Sequence, residues 1–343
     1  MNYSQNLKSV LRSIDPKDKE MVRRVNQQLI AMKAASGTTH NNQTLSNVSI
    51  QYKNADYIGL ELMPVVNVAK KSDDYIVYSK RDRLAGPDDQ MSKRSRPNEI
   101  NESRTTQTFA CKDYALMNYV DNETLREQDA PLDEKVDLIE AINDVLALKR
   151  EQRIASILTT PGNYGGNTAV LSGTDQWDNA SNTNILAKLQ DGMAATWTGA
   201  GPGELVGFTS LDVWNVISRH PSVRGLFSYV KDGFATTDML ARYLGLSKIV
   251  VGAARQDIAN EGQTASYSRI WGKFFGVIRV ASSPSRRNAS FGYTFRLQGD
   301  PKTDLWFDAA VGKTGGWYGR VGFSEDYKVV APDTGFLYSA VIA

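Results

Sequence analysis

The chain has 343 residues, enough for two domains or one large one, and 41% of them are hydrophobic, enough for a sizeable core. Forty Lys and Arg against 38 Asp and Glu leave a formal charge of +2, which excludes a strong nucleic-acid footprint at the level of the whole chain. The single Cys111 excludes an intrachain disulfide and fits a reducing compartment. The opening MNYSQNLKSVLRSIDPKDKE has no apolar stretch suited to a signal peptide, and no run approaches the roughly 18–20 apolar residues of a membrane span. These features predict a soluble protein made in a cytoplasm.

Residues 1–35 read as helix. Asp15-Pro16 resembles an N-cap followed by proline at the first helical position, and Met21, Val25, Leu29 and Met32 recur at helical spacing, widened by Val22 and Ile30. Seven cations against three anions make this a mildly basic arm. It lies either on the protein's own body, or on a neighbouring subunit or nucleic acid. After a polar linker at 36–44, residues 45–66 mix strand-like pieces with a helical turn, and Met63-Pro64 bars a continuing helix.

Residues 65–80 alternate in part (Val66, Val68, then Tyr75, Val77), and 105–120 are rich in Thr, Tyr, Phe and Val. Paired antiparallel, the two make a long two-stranded arm. Its tip, 81–104, carries six cations (Arg81, Arg83, Lys93, Arg94, Arg96, Arg104) among five anions (Asp82, Asp88, Asp89, Glu99, Glu102), with Leu84, Met91 and Ile100 as its sizeable apolar residues. Connections above about 12–15 residues are uncommon inside a compact domain, and an isolated hairpin is marginally stable in water. Such an arm must rest on something, and its own body offers no obvious place.

The strongest helix signal runs over 129–160. Leu132, Val136, Ile139, Ile142, Val145 and Leu146 form a stripe resumed by Ile154, Ile157 and Leu158. Asp133 and Glu134 early, and Lys149, Arg150 and Arg153 later, suit the helix dipole. Some 28 residues would span roughly 42 Å, a spine crossing a flat molecule. The Gly/Asn-rich stretch 161–184 is the best domain boundary. Beyond it, helices (185–197, 211–220, 236–245) alternate with strands (204–210, 248–254, 274–282), which predicts a mixed sheet with covering helices. From 292–297 onward the pattern turns to strands, ending in a long interrupted strand pair over 319–343. There is no internal repeat.

Chemistry-bearing constellations are missing. His40 sits in the linker and His220 ends a helix before Pro221; no Cys/His cluster has zinc-site spacing. Cys111, inside a strand, reads as a packed side chain. VGKTGG (311–316) has Phe307 where a phosphate-binding loop needs glycine, and no helix follows; GAGPGE (199–204) lacks the third glycine of a dinucleotide fingerprint. The pairs Asp73-Asp74, Asp88-Asp89 and Glu325-Asp326 fall in polar, exposed-looking segments, unlike the shielded carboxyls of acid–base catalysis. No catalytic, cofactor-binding or metal-binding residue is predicted.

Several stretches together carry a resemblance: LSNVSIQYKNADYIGLELMPVV, TDQWDNASNTNILAKLQDGM, DVWNVISRHPSVRGLFSYVKDGFATTDMLARYLGLSKIVVGAA and SRIWGKFFGVIRV. In this order, over roughly 40–300, the chain resembles the major capsid proteins of tailed phages with the Hong Kong 97-type fold. The resemblance implies an α+β fold with an N-terminal arm (1–62), an extended β-hairpin loop (63–120) and a peripheral domain with its spine helix (121–184). An α/β axial domain (185–298) and the C-terminal strands of the peripheral domain (299–343) would complete it. It implies a shell subunit forming hexamers and pentamers of an icosahedral head around double-stranded DNA, which it contacts weakly and non-specifically. Arg81, Arg83, Asp88, Asp89, Lys93, Arg94, Arg96, Glu99, Glu102 and Arg104 would lie on an adjacent subunit. Expected partners are further copies of the chain, a scaffolding protein, a portal and a decoration protein, in a virion assembled in the host bacterial cytoplasm. Some members crosslink a Lys to an Asn between subunits; no such pair can be placed here. A cellular nanocompartment shell of the same fold, or a soluble α/β enzyme, are the competing expectations.

Overall fold

The computed structural model describes residues 54–55, 57–78, 84, 88–91, 93, 95–97, 99–100, 103–127, 133–181, 184–197, 204–226, 235–281 and 289–343. The helix expected over 1–35 lies outside them. Nearly all described residues belong to one compact unit built from Tyr52–Arg126 and Glu134–Ala343.

A single helical turn, α1 (Gly59–Leu62), precedes strands β1 (Val65–Val68), β2 (Ser72–Tyr78), β3 (Arg104–Ala110) and β4 (Lys112–Asp121). Helices α2 (Asn122–Glu127) and α3 (Glu134–Leu158) and strand β5 (Thr168–Val170) follow. Next come α4 (Ile185–Ala195), β6 (Glu204–Ser210), α5 (Leu211–Arg219), α6 (Pro221–Leu226), α7 (Thr237–Leu244) and β7 (Lys248–Gly252). The chain closes with β8 (Arg255–Asp257), β9 (Tyr267–Arg269), β10 (Phe274–Val280), β11 (Gly292–Leu297), β12 (Lys302–Asp308), β13 (Gly316–Val329) and β14 (Gly335–Ser339). The mixture is the α+β composition expected, and β6 and β11 have the bounds read from the sequence.

The first sheet is organised by β13. It pairs antiparallel with β11 and β12 along one edge and with β4 along the other, and β1 joins β11 in parallel. Strand alternation turns Trp317, Val321, Phe323 and Tyr327 to one side. Helix α3 packs there, its 25 residues spanning roughly 38 Å. Its buried face is Leu138, Ile142, Leu146, Ile154, Ala155 and Leu158, with Glu151 among them. Val136 and Val145, expected in the stripe, are half exposed, because the buried residues recur mostly at i+4 and leave these two on the far side. Gly319 lets the helix come close: a Cβ there would sit 2.2 Å from Leu138 Cδ2.

The second sheet runs β5-β14-β10-β6-β7. Its core gathers Trp177, Ile185, Leu189, Val213, Ile217, Leu240, Phe275 and Tyr338. Ser210 and Thr236 cap α5 and α7 by accepting from Val213 N and Met239 N, and left-handed Gly245 ends α7. The sequence expectation of a terminal strand pair is corrected here. β13 and β14 do not pair with each other: a turn at Pro332–Thr334 sends β14 into the second sheet, beside β10 and β5.

The expected long two-stranded arm is also shorter than predicted. β2 pairs with β3 from Ser72↔Ala110 to Tyr78↔Arg104, whereas β4 belongs to the first sheet and β1 pairs with β11. The switch occurs at Cys111, whose N–H donates to Lys71 O at 2.7 Å and closes the hairpin's root.

Candidate subunit-contact surfaces

The hairpin's root rests on its own body, contrary to expectation. Phe109 is buried and stacks on Phe295 at 4.6 Å between ring centres, and Tyr75 meets the same ring at 5.8 Å. Lys71 Nζ reaches both Asp113 oxygens at 2.7 Å, and Ser324 Oγ donates to Asp113; these bonds hold the Asp113 carboxyl below its ordinary range. Ala110 N donates to Asp326 Oδ2 at 2.9 Å. Farther out, Tyr75 Oη bonds Gln107 and Thr108 Oγ1 bonds Asp74 across the two strands. The hairpin is thus anchored at one end and two-stranded beyond it.

At the other end, Asp88, Asp89, Lys93, Arg96, Glu99 and Arg104 are exposed. So are Leu84 (65%), Met91 (55%) and Ile100 (69%), which sit singly among the charges. Arg81, Arg83, Arg94 and Glu102 lie outside the described residues.

A second surface is the face of the first sheet turned away from α3. Tyr119, Tyr318 and Trp306 form a ladder across β4, β13 and β12, with neighbouring ring centres 5.6 and 5.7 Å apart. Met117 is 58% exposed beside them. Arg320 bonds Asp304 at 2.6 Å and lies over the Trp306 ring. Next to the ladder is a groove of about 290 Å³ whose lining includes three cations, Lys71, Lys302 and Arg320, and three anions, Asp113, Asp300 and Asp304.

Two buried carboxylates hold these surfaces in place, and sequence reasoning missed both. Glu325, expected to be exposed, has no exposed side-chain surface. It accepts from Arg150 Nε at 3.0 Å, Arg296 NH2 at 2.6 Å and Tyr327 Oη at 2.6 Å. Burial and the neighbouring Glu325 charge push the Tyr327 hydroxyl well above its ordinary range, so it stays a donor. The signal was available: alternation from Val321 through Phe323 to Tyr327 puts Glu325 on the inner face. Glu151 accepts from Ile58 N, Gly59 N and Trp271 Nε1 at 2.8–3.0 Å, with burial raising its carboxyl above the ordinary range. It joins α3, α1 and the turn between β9 and β10.

Of the residues weighed for chemistry, His40 lies outside the described residues, and His220 and Cys111 are bonded within the fold. His220 Nε2 lies 3.1 Å from Asn179 O, and its Nδ1 accepts from Ser222 N. Cys111 Sγ lies 3.6 Å from Phe295 O, and burial raises its thiol. Among the described residues no three His, Cys, Asp or Glu side chains gather as metal ligands, and no helix is long and apolar enough to cross a membrane.

No family model matches the chain. The major capsid protein of Pseudomonas phage JBD67 is 29% identical over 303 residues, covering 87% of this chain and 96% of that one. Among solved structures, a phage-related protein from Bordetella bronchiseptica RB50 superposes with a TM-score of 0.66 at 22% identity, covering 84% of this chain and 94% of that one. The capsid structure of cyanophage P-SCSP1u gives a TM-score of 0.56 at 10% identity, covering 85% and 90%.

Proposed function

We propose that this chain, which has the Hong Kong 97-type capsid fold and a phage major capsid protein as a sequence relative, is the subunit of an icosahedral phage head. It assembles into hexamers and pentamers that enclose double-stranded DNA. The observation that carries this reading is the relative's match, which spans nearly the whole of both chains.

The geometry supports it. A closed ring of identical subunits needs a heterologous contact, one patch meeting a different patch on the next copy. The described residues of the hairpin tip offer such a patch: exposed, apolar at three positions and mixed in charge. The groove on the far face of the first sheet, with three cations and three anions, has matching character. We assign the tip residues 81–104 to a neighbour's groove of this kind. Exposed ion pairs are worth about 0–1 kcal/mol each, so interleaved signs here set register more than affinity. The hairpin (63–120), a peripheral domain (121–184 with 299–343) and an axial domain (185–298) are the working divisions. A scaffolding protein, a portal and a decoration protein are further partners, with assembly in the host cytoplasm. No catalytic step is assigned.

Co-expression with a scaffolding protein tests the reading. Closed particles should be visible by electron microscopy; a monomer that stays monomeric at high concentration would overturn it. Neighbouring portal and terminase genes, rather than a cargo enzyme, distinguish a phage head from a nanocompartment.

A further inference from the structure

Among the described residues, strand β12 ends its sheet. It pairs with β13 on one side and, among the described residues, with no strand on the other. Its first six residues, KTDLWF, are exposed. Leu305, Trp306 and Phe307 are 43%, 37% and 44% exposed, so apolar surface faces water on both sides of the strand. An open edge of this kind is a template for another strand, and proteins normally blunt it with proline, a bulge, a very short strand or charges, which on β12 are Lys302, Asp304 and Asp308 and admit only a partner that matches them. β12 has no proline, and its seven residues run roughly 23 Å.

We infer that the open edge of β12 pairs antiparallel with β12 of a second copy, about a two-fold axis at Leu305. The charges select the partner and the register. With Leu305 opposite Leu305, Lys302 faces the copy's Asp308 and Asp308 faces the copy's Lys302, while Thr303 faces Phe307. Keeping the same face toward the same side allows shifts only in steps of two residues. Either such shift brings carboxylates together: Asp304 against Asp304 in one direction, Asp304 against Asp308 in the other. In the Leu305-centred register Asp304 faces Trp306 and keeps Arg320 as its ion partner. The inference rests on the shell reading, in which this contact would join subunits of adjacent rings. One seven-residue edge is a small interface, effective through repetition over a shell rather than as a dimer in solution.

Full-length Leu305→Cys, assembled with its scaffolding protein and treated with a short bis-maleimide, should give a covalent dimer on a denaturing gel. Wild type, with Cys111 alone, and Val170→Cys, exposed on β5, should not. Leu305→Cys particles without a dimer, or a crosslink to an added Ile76→Cys in the hairpin instead of between two β12 strands, overturn the inference and leave the shell reading standing. A wild type that forms no particles removes both. Independently, Lys302→Asp or Asp308→Lys should each lower particle yield by roughly two- to tenfold, since cross-strand charge pairs of this kind contribute modestly. The double exchange should restore it; failure to restore contradicts the pairing.

Discussion

Glu325 is the residue on which the first sheet and α3 are locked together. Removing one partner of a buried ion cluster leaves the others unpaired, so Glu325→Ala, stranding Arg150 and Arg296, should cost about 3–5 kcal/mol in chemical denaturation of the subunit. Gly59 is held to glycine by the second buried carboxylate: a Cβ there would lie 2.6 Å from Glu151 Oε2. Gly59→Ala should therefore destabilise by about 1–3 kcal/mol, read as a lower thermal midpoint. Glu151 also gives a pH dependence whose sign is fixed. Its folded carboxyl lies above the ordinary 4.5, so between that value and its raised one the folded chain binds more proton than the unfolded chain. Its contribution to stability is then greatest in acid and is lost as pH rises through that window. Wild type and Glu151→Gln, compared by denaturation from pH 4 upward, should differ in slope there; parallel curves would contradict the assignment.

At the scale of elements, helix α3 separates what periodicity reveals from what it cannot. Ile142, Leu146, Ile154 and Leu158 are both in the sequence stripe and in the core; Val136 and Val145 are in the stripe and in water. A stripe marks the face that is apolar, and packing against β13 decides which part of it is covered. Ile142→Ala should cost about 2–5 kcal/mol, whereas Val145→Ala should stay within about 0.5 kcal/mol in the isolated subunit. The hairpin shows a different limit. Its strands were legible from their composition, but Cys111 is where one ribbon ends and another sheet begins, a long-range choice made by Phe109 on Phe295 and by the β4–β13 register. The terminal strands failed for the same reason, since nothing local tells β14 to leave β13. Deleting 84–100 should leave the subunit folded with a melting midpoint close to wild type, because the described side chains of that tip bury little, while abolishing or weakening particle formation. Particles of normal yield and stability from the deletion would count against the hairpin contact.

For the whole molecule, the order of elements was more informative than any motif. No residue cluster announces a shell protein: His220 and Cys111, the residues most suggestive of chemistry, are bonded into the fold. What the sequence displayed was a long charged tip with three sizeable apolar residues, more than a compact domain needs for a connection. The groove proposed to receive it was not legible, because Lys71, Asp113, Lys302 and Arg320 converge only once β4, β12 and β13 are paired. The central claim is that tip and groove belong to different copies of one chain. A cryo-microscopy map of assembled particles tests it most directly. The account predicts density for 81–104 of each subunit on the β4–β13–β12 face of its neighbour in rings of five and six; a tip seated on its own subunit, or lying free of every neighbour, would contradict it.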